Sequence, residues 1–145
     1  MKKSFIFLSI AFLLPLKQVS SQEGKIIGTW LNEEGTSHIR IFKATNGNYY
    51  GKVEWLKNDP EKLDVHNPDP ELQKKPVMGM LILRGFSYDA DNQQWINGTV
   101  YDPKVGKTYD SYMWFDGDDN VLHLKGYVLG MRFMGRETTW KRVEP

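Results

Sequence analysis

Apolar and polar residues alternate with a period of two along most of the chain, and short runs of turn-forming residues interrupt the alternation. Successive side chains of a strand point to opposite faces, so this pattern predicts strands with one buried face. Hairpin signals such as Asn46-Gly47 separate the strands, because both residues tolerate positive φ. The predicted strands span residues 26–31, 38–43, 49–56, 76–85, 95–101, 107–115, 121–129 and 132–143.

Segment 76–85 is nearly all apolar, a pattern that a buried helix shares. Its short length, its internal Gly79 and the flanking Pro76 and Gly85 favour a strand. Eight strands with short connections favour an all-β fold, a single small antiparallel up-and-down β-barrel. A two-sheet sandwich is the alternative. In the turn between the strands 95–101 and 107–115, we expect Gly106 at positive φ and Asp102 as an acceptor of backbone N–H groups.

Two tryptophan motifs mark the ends of the predicted barrel sequence, Gly28-x-Trp30 on the first strand and Trp140-x-Arg142 on the last. Glycine lets two chain segments approach closely, and an indole can fill one end of a small barrel. An arginine can lie across the indole face in a cation–π contact. We therefore expect Gly28, Trp30, Trp140 and Arg142 to close one end of the barrel, with Trp30 buried.

The segment from Lys57 to Lys75 contains no plausible strand and holds three prolines. Irregular loops of this length are uncommon in compact domains and are often functional. Small-ligand sites of barrels lie at the mouth, so we expect this loop to cross one mouth as a lid. Asp64, Asn67 and Asp69 are the residues expected to hold it there through hydrogen bonds.

The same loop also raises the question of a metal site. Asp64, His66, Asp69 and Glu71 offer carboxylate and imidazole ligands within a short stretch. Zinc and hard cations need several converging ligands, whereas this stretch has one histidine, no cysteine and a stiff backbone. A solvated, turn-forming loop is the preferred interpretation, and no metal or cofactor is expected.

The N-terminus has the three-part organisation of a secretory signal peptide. Lys2 and Lys3 precede an apolar run over residues 5–16, and small residues follow over 19–22. The apolar run is shorter than the roughly 20 residues that a spanning helix needs. We expect residues 1–22 to be a signal peptide cleaved after Ser21 or Gln22. Residues 23–145 then form one exported domain, periplasmic or extracellular, without a membrane span.

Cleavage would change the charge balance of the protein. The full chain carries 19 basic and 18 acidic residues, and residues 1–22 contain three lysines and no acidic residue. The remaining domain has a net charge of −2, which argues against nucleic acid as a partner, since nucleic-acid binding requires a basic patch or stripe. The chain contains no cysteine, so it folds without disulfides.

Catalytic motifs are missing from the sequence. Nucleophilic catalysis needs a Ser, Cys or Thr beside a base that a third group orients. The chain has no cysteine, no Gly-x-Ser-x-Gly elbow and three histidines, His38, His66 and His123. His38 and His123 fall on predicted strands, where a lone histidine is more often a packing or surface residue. We do not expect an enzyme.

Aromatic residues give better support for binding. The chain has five Trp and seven Tyr, and most of them are expected to fill a small barrel. Strand 107–115, however, places aromatic residues on both faces, so some lie elsewhere. At a mouth they could stack on a sugar ring or contact an acyl chain, and an arginine of the last segment could meet a carboxylate or phosphate head group. The candidate ligand-binding residues are Tyr109, Tyr112, Trp114, Arg132 and Arg136.

Two functions follow from this pattern. The preferred one is a non-catalytic module that binds a small amphipathic or apolar ligand in the barrel mouth. In the alternative, the interior is solid, and the 57–75 loop with the exposed aromatic residues contacts a protein or the cell envelope.

An ordered series of motifs runs through the whole mature chain and resembles one bacterial family, the domain of unknown function 2147. The resemblance implies a secreted, lipocalin-like β-barrel domain, and it implies no established activity or catalytic residues. The motifs that carry it are Gly28-x-Trp30, Gly51-Lys52-Val53-x-Trp55-Leu56, Asp64-x-x-Asn67-Pro68-Asp69-Pro70, Pro76-Val77-x-Gly79, Trp95-x-x-Gly98-x-x-Tyr101-Asp102-Pro103-x-x-Gly106-Lys107-x-Tyr109, Leu122-x-x-x-Gly126-Tyr127 and Trp140-x-Arg142.

Overall fold

The computed structural model describes residues 22–144. The predicted signal peptide therefore lies outside the described residues, apart from Gln22. Three short 3-10 helices accompany the strands, at Gln22–Ile26, Leu72–Lys74 and Arg132–Met134. The eight strands are β1 (Gly28–Leu31), β2 (Ser37–Lys43), β3 (Tyr49–Leu56), β4 (Leu81–Asp89), β5 (Gln94–Asp102), β6 (Lys107–Phe115), β7 (Val121–Tyr127) and β8 (Arg136–Arg142).

The strands form a closed antiparallel barrel in which each strand pairs with the next and β8 returns to β1. Trp30 is opposite Arg142 and Leu31 is opposite Lys141 at the closing pair. Closure removes the exposed sheet edges that would otherwise template pairing with another chain. The predicted up-and-down barrel is confirmed, and the alternative two-sheet sandwich is wrong.

Strand boundaries differ from the prediction in three places. The strand predicted over 76–85 starts at Leu81, after Gly79 with its φ of 82°, and continues past Gly85 to Asp89. Near the end of β7, Leu129 and Gly130 have φ values of 53° and 69°, so the strand stops at Tyr127 and β8 starts at Arg136. At the N-terminus, Ile26 belongs to a 3-10 helix rather than to the first strand.

The barrel interior at the level of the N-terminal helix is packed with aromatic rings. Phe115 lies 5.9 Å from Trp30 and 5.5 Å from Trp95, measured between ring centroids. Tyr49 meets Trp95 edge to face at 6.5 Å. Three of these residues, Trp30, Trp95 and Tyr49, are at most 2% exposed. Edge-to-face contacts of this kind add to the stabilisation from burial, so this part of the interior is solid.

One tryptophan leaves the interior at an irregularity. The register between β2 and β3 shifts between His38 and Ile39, so β3 has an extra residue there. A bulge of this kind sends the following side chain to the other face. Trp55 therefore lies on the outer wall, 38% exposed, with its ring 4.5 Å from the His38 ring.

The connections alternate between the two ends of the barrel, which differ in construction. The closed end carries the helix Gln22–Ile26 and the short turns 44–48, 90–93 and 116–120. The open end carries the turn 32–36, the long connection 57–80, the turn 103–106 and the loop 128–135.

Candidate functional site

The closed end is sealed by Arg142, whose guanidinium carbon lies 4.3 Å from the centre of the Trp30 ring. The same guanidinium donates hydrogen bonds to the carbonyls of Lys25 (2.7 Å), Ile27 (3.2 Å) and Asp119 (2.9 Å). A Cβ on Gly28 would lie 2.7 Å from Arg142 Nη1, so the close approach needs glycine. Burial lowers the pKa of Arg142 from its usual value. The planar guanidinium group of Arg142 thereby connects the N-terminal helix, the residue before β1 and the 116–120 turn.

Two indole N–H groups hold the N-terminal helix over the aromatic interior. Trp30 Nε1 donates to the carbonyl of Ile26 at 2.9 Å, and Trp95 Nε1 donates to that of Glu23 at 3.2 Å. Ile26 itself is fully buried. Burial and the nearby Glu23 carboxylate raise the pKa of Tyr49 to about 12. Both indole N–H groups find partners in the helix, whereas the buried Tyr49 hydroxyl has no hydrogen-bond partner among the described residues. The packed rings leave no room for a ligand at this end.

Trp140, the fourth residue predicted for closure, has a different position. It is 5% exposed and lies opposite Leu122 of β7. It also lines a cavity at the open end. The structure thus groups Gly28, Trp30 and Arg142 at the closed end and places Trp140 between the solid interior and the cavity.

The open end contains a cavity of about 630 Å³. Inward-facing apolar side chains of the strands line its wall, whereas polar and charged side chains of the loops line its rim. The wall includes Ile39, Val53, Leu56, Ile82, Val100 and Leu124. The rim includes Asn32, Glu33, Asn58, Lys62, Lys104 and Arg136. Lys104 forms an ion pair with Glu34 across the rim.

Strand β6 shows why the five candidate ligand-binding residues do not form one site. Ser111 and Met113 are fully buried, so the inward face of β6 holds Tyr109 and Phe115, and Tyr112 and Trp114 point outward. Tyr109 lines the cavity. The period of two, which predicted aromatic residues on both faces, therefore separates Tyr112 and Trp114 from the mouth.

The two candidate arginines separate in the same way. Arg136, the first residue of β8, lines the cavity rim. Arg132 lies on the outer wall, with its guanidinium carbon 3.7 Å from the centre of the Tyr112 ring and Nη2 donating to Gln94 Oε1 at 3.2 Å. The prediction of one joint site is corrected to Tyr109 and Arg136 at the cavity and Tyr112, Trp114 and Arg132 outside it.

On the outer wall the exposed rings pack against each other. Tyr112 stacks on Trp114 at 5.1 Å, and Trp114 stacks on His123 at 5.2 Å. His123 Nδ1 lies 2.9 Å from the Glu137 carboxylate. These contacts cover ring faces that would otherwise be free, so the arrangement is explained by packing along neighbouring strands.

The long connection is held at the open end by a buried carboxylate. Asp64 is fully buried and accepts hydrogen bonds from the Tyr101 hydroxyl at 2.7 Å and from Asn67 Nδ2 at 2.8 Å. Burial and the hydrogen bond to Asp64 raise the pKa of Tyr101 to about 12. Asp69 stays exposed, and its carboxylate accepts from the backbone N–H of Glu71 at 3.0 Å. We call this set of contacts the Asp64 latch.

The turn between β5 and β6 supports the latch. Gly106 has a φ of 67°, and Asp102 Oδ1 accepts from the Lys104 N–H at 3.0 Å, so both predictions for this turn are confirmed. A Cβ on Gly106 would lie 1.7 Å from the carbonyl oxygen of His66. Glycine is therefore required both for its φ and for the contact with the long connection.

The long connection is only part of the cavity rim. Asn58, Lys62 and Val77 line the cavity, whereas Asp64, Asn67 and Asp69 do not. The predicted lid residues thus fasten the connection to the side of the mouth rather than cover the opening. Sequence reasoning missed Tyr101, the partner of Asp64, and the apolar cavity wall. The inward positions of the strands near their open ends were the available signal for that wall.

No histidine lies at the cavity. His38 contacts Trp55, His123 pairs with Glu137, and His66 is exposed in the long connection. Within residues 22–144, no group of three or more His, Cys, Asp or Glu side chains is placed to hold a metal ion. None of the helices in the same range is long and apolar enough to cross a membrane.

Comparison with known proteins agrees with this geometry. A family model described as "Uncharacterized protein conserved in bacteria (DUF2147)" matches residues 28–142. No curated protein sequence gives a significant match. Among solved structures, protein HP1028 from Helicobacter pylori, described as belonging to the lipocalin family, is similar to this chain with a TM-score of 0.71. The two are 23% identical, and the alignment covers 81% of this chain and 82% of that one.

Proposed function

The chain belongs to the bacterial DUF2147 family and has a lipocalin-like barrel, and we propose that it is an exported, non-catalytic module that binds a small amphipathic or apolar ligand. The observation that carries the proposal is the open-end cavity of about 630 Å³. Ligand pockets commonly have volumes of about 300–1,000 Å³ with apolar walls and a few polar groups.

The distribution of polarity in the cavity supports an amphipathic ligand. Its wall is formed by aliphatic side chains together with Tyr109 and Trp140, and such a surface suits an acyl chain or another apolar body. At the rim, Arg136 makes no ion pair with any residue of the described range, unlike Lys104, which pairs with Glu34. An unpaired guanidinium at the mouth is suited to a carboxylate or phosphate head group, which it can bind with two parallel hydrogen bonds.

The position of the titratable groups supports binding rather than catalysis. The three histidines lie away from the cavity. The acidic groups at the rim are engaged with the protein itself, since Glu34 pairs with Lys104 and Glu33 lies 3.4 Å from the Thr139 N–H. The proposed export is supported by residues 1–22, where a basic start, an apolar run and small residues follow one another as in a signal peptide.

A matched pair of substitutions on β8 tests the proposal. Thr138 lines the cavity, and Thr139 is the next residue, on the outer face. The wild-type protein should take up one equivalent of a dye that fluoresces in apolar surroundings, and a long-chain fatty acid should displace it. Thr138→Phe should narrow the cavity and weaken uptake, whereas Thr139→Phe should leave uptake unchanged. No saturable uptake by a folded wild-type protein would exclude the ligand-binding function and favour the interaction module.

A further inference from the structure

Exposed apolar side chains are concentrated at the open end. Ten large hydrophobic residues of the described range are exposed, and Ile27 and Trp55 are the two that lie outside the open-end loops. The closed-end turns 44–48, 90–93 and 116–120 consist of Ala, Thr, Asn, Gly, Asp and Gln. The exposed residues in the open-end loops are Leu63, Val65, Leu72, Val105, Val128, Leu129, Phe133 and Met134.

The loop 128–135 between β7 and β8 is the most exposed of these apolar segments. Leu129 is 87% exposed, Phe133 80% and Met134 69%. Leu129 also has a φ of 53°, a conformation that costs a side-chain-bearing residue about 1–2 kcal/mol. Three large apolar side chains together in solvent are unusual for a surface without a partner. The loop therefore has the properties of a contact surface.

Its charge indicates which kind of partner the loop fits. From Val121 to Arg136 the sequence contains no acidic residue and three cations, Lys125, Arg132 and Arg136. Lys125, Arg132 and Phe133 border a shallow concavity that runs along the outer wall as far as Asn92 and Gln94. Cationic side chains therefore lie within and beside the apolar loop 128–135. Segments that enter the interface of an anionic membrane combine apolar and cationic side chains in this way.

The turns of the closed end are acidic, in contrast to the loop 128–135. The turns there and their flanking residues carry five aspartates, Asp89, Asp91, Asp116, Asp118 and Asp119. A surface of negative potential would repel this end and attract the basic, apolar loop at the other. The open-end loops 32–36 and 57–80 carry acidic as well as basic residues, so the attraction to an anionic surface rests on the loop 128–135 and its flanking cations.

We propose that the loop 128–135 docks the open end onto an anionic lipid bilayer. Leu129, Phe133 and Met134 enter the interface, and Lys125 and Arg132 meet the head groups. This docking goes beyond the proposed ligand-binding function and does not depend on it. Val128 and Met134 also line the cavity, so docking would bring the mouth against the bilayer. If the cavity binds an apolar ligand, that ligand then passes between bilayer and cavity without crossing water.

Vesicle flotation tests the docking. The purified protein is mixed with vesicles of phosphatidylcholine alone or of phosphatidylcholine and phosphatidylglycerol in equal parts. It should float with the mixed vesicles, less so as salt rises, and not with phosphatidylcholine alone. Leu129→Ser with Phe133→Ser should weaken binding at least about tenfold, given the apolar area lost. Lys125→Gln with Arg132→Gln should weaken it about fivefold per charge.

Ile27→Ser is the matched control, because it removes an exposed apolar side chain from the closed end and should leave flotation unchanged. No flotation of the wild-type protein, or equal flotation of the Leu129→Ser, Phe133→Ser variant, would overturn the proposal. A lipid-free dimer that this double variant abolishes would also overturn it and assign the loop to a second copy of the chain. Dye uptake should survive in the double variant, so failure of docking and failure of the cavity function are distinguishable.

Discussion

Two arginines on the same strand, Arg142 at the closed end and Arg136 at the open end, have opposite surroundings. Arg142 lies on the Trp30 ring and donates to three backbone carbonyls. Arg136 lines a cavity and makes no ion pair within residues 22–144. The first arginine stabilises the fold, whereas the second is the one that we propose meets the head group of a ligand. The comparison indicates that one end of the barrel maintains the fold so that the other end can stay open.

The largest effect should come from the closed end. Trp30→Ala empties a fully buried aromatic site and removes the surface on which Arg142 lies, so it should cost about 3–5 kcal/mol of unfolding free energy. Trp55→Ala is the control, because Trp55 is 38% exposed on the outer wall and should cost about 1 kcal/mol. Chemical denaturation measures both. Similar losses for the two variants would break the distinction between a solid end and the rest of the barrel.

A second pair compares glycines at the two ends. Gly106→Ala puts a Cβ against the His66 carbonyl at positive φ, and it should cost about 2–4 kcal/mol because strain and a backbone clash add. Gly47 in a closed-end turn has a φ of 84° and open space around it, so Gly47→Ala should cost only about 1 kcal/mol of strain. Thermal or chemical denaturation gives both values. A harmless Gly106→Ala would contradict the fastening of the long connection to the β5–β6 turn.

A third pair concerns the arginines that the sequence placed in one site. Arg136→Gln should weaken binding of a fatty acid about tenfold, the loss expected for a charge-assisted hydrogen bond at a rim. Arg132→Gln should leave the same affinity unchanged, because Arg132 lies on the outer wall over Tyr112. Isothermal titration with one fatty acid measures both. The reverse order of effects would move the ligand from the cavity to the outer wall.

A fourth comparison is a pH dependence shared by the two ends. Tyr49 and Tyr101 have pKa values raised to about 12 in the folded protein, whereas unfolded tyrosine ionises near pH 10. Their contribution to stability is therefore complete below pH 10 and is lost as the pH rises from 10 to 12. The unfolding free energy should fall across this window, and less steeply in Tyr49→Phe with Tyr101→Phe. An identical slope in that variant would show that other groups cause the loss.

Much of the fold was predictable because its signals are local. β3 and β6 have the predicted bounds, since turn residues flank a clear alternation at both. The strand prediction for residues 76–80 was wrong because this segment bonds to residues that are distant in sequence. The Val77 N–H donates to the Lys62 carbonyl and the Gly79 N–H to the Val53 carbonyl, so the segment serves the long connection before β4 begins. Local pattern contains no information about such partners.

The candidate site was predictable only in part. Alternation put Tyr109 on one face of β6 and Tyr112 and Trp114 on the other, but it did not say which aromatic face met the mouth. Arg132 and Arg136 are four residues apart, and the 3-10 helix at Arg132–Met134 sends them to different surfaces. Asp64 was identified as a fastening residue, whereas its partner Tyr101 lies 37 residues away in sequence and carried no local signal.

Methyl chemical shifts measure the difference between the two ends most directly. A long-chain fatty acid is titrated into protein with labelled Ile, Leu and Val methyl groups. We expect saturable shifts at Ile39, Val53 and Leu124 on the cavity wall, and none at Ile26 and Ile41. Shifts at Ile26 and Ile41 as large as those on the cavity wall, or no saturable shift at the wall, would contradict a barrel that is solid at one end and open to a ligand at the other.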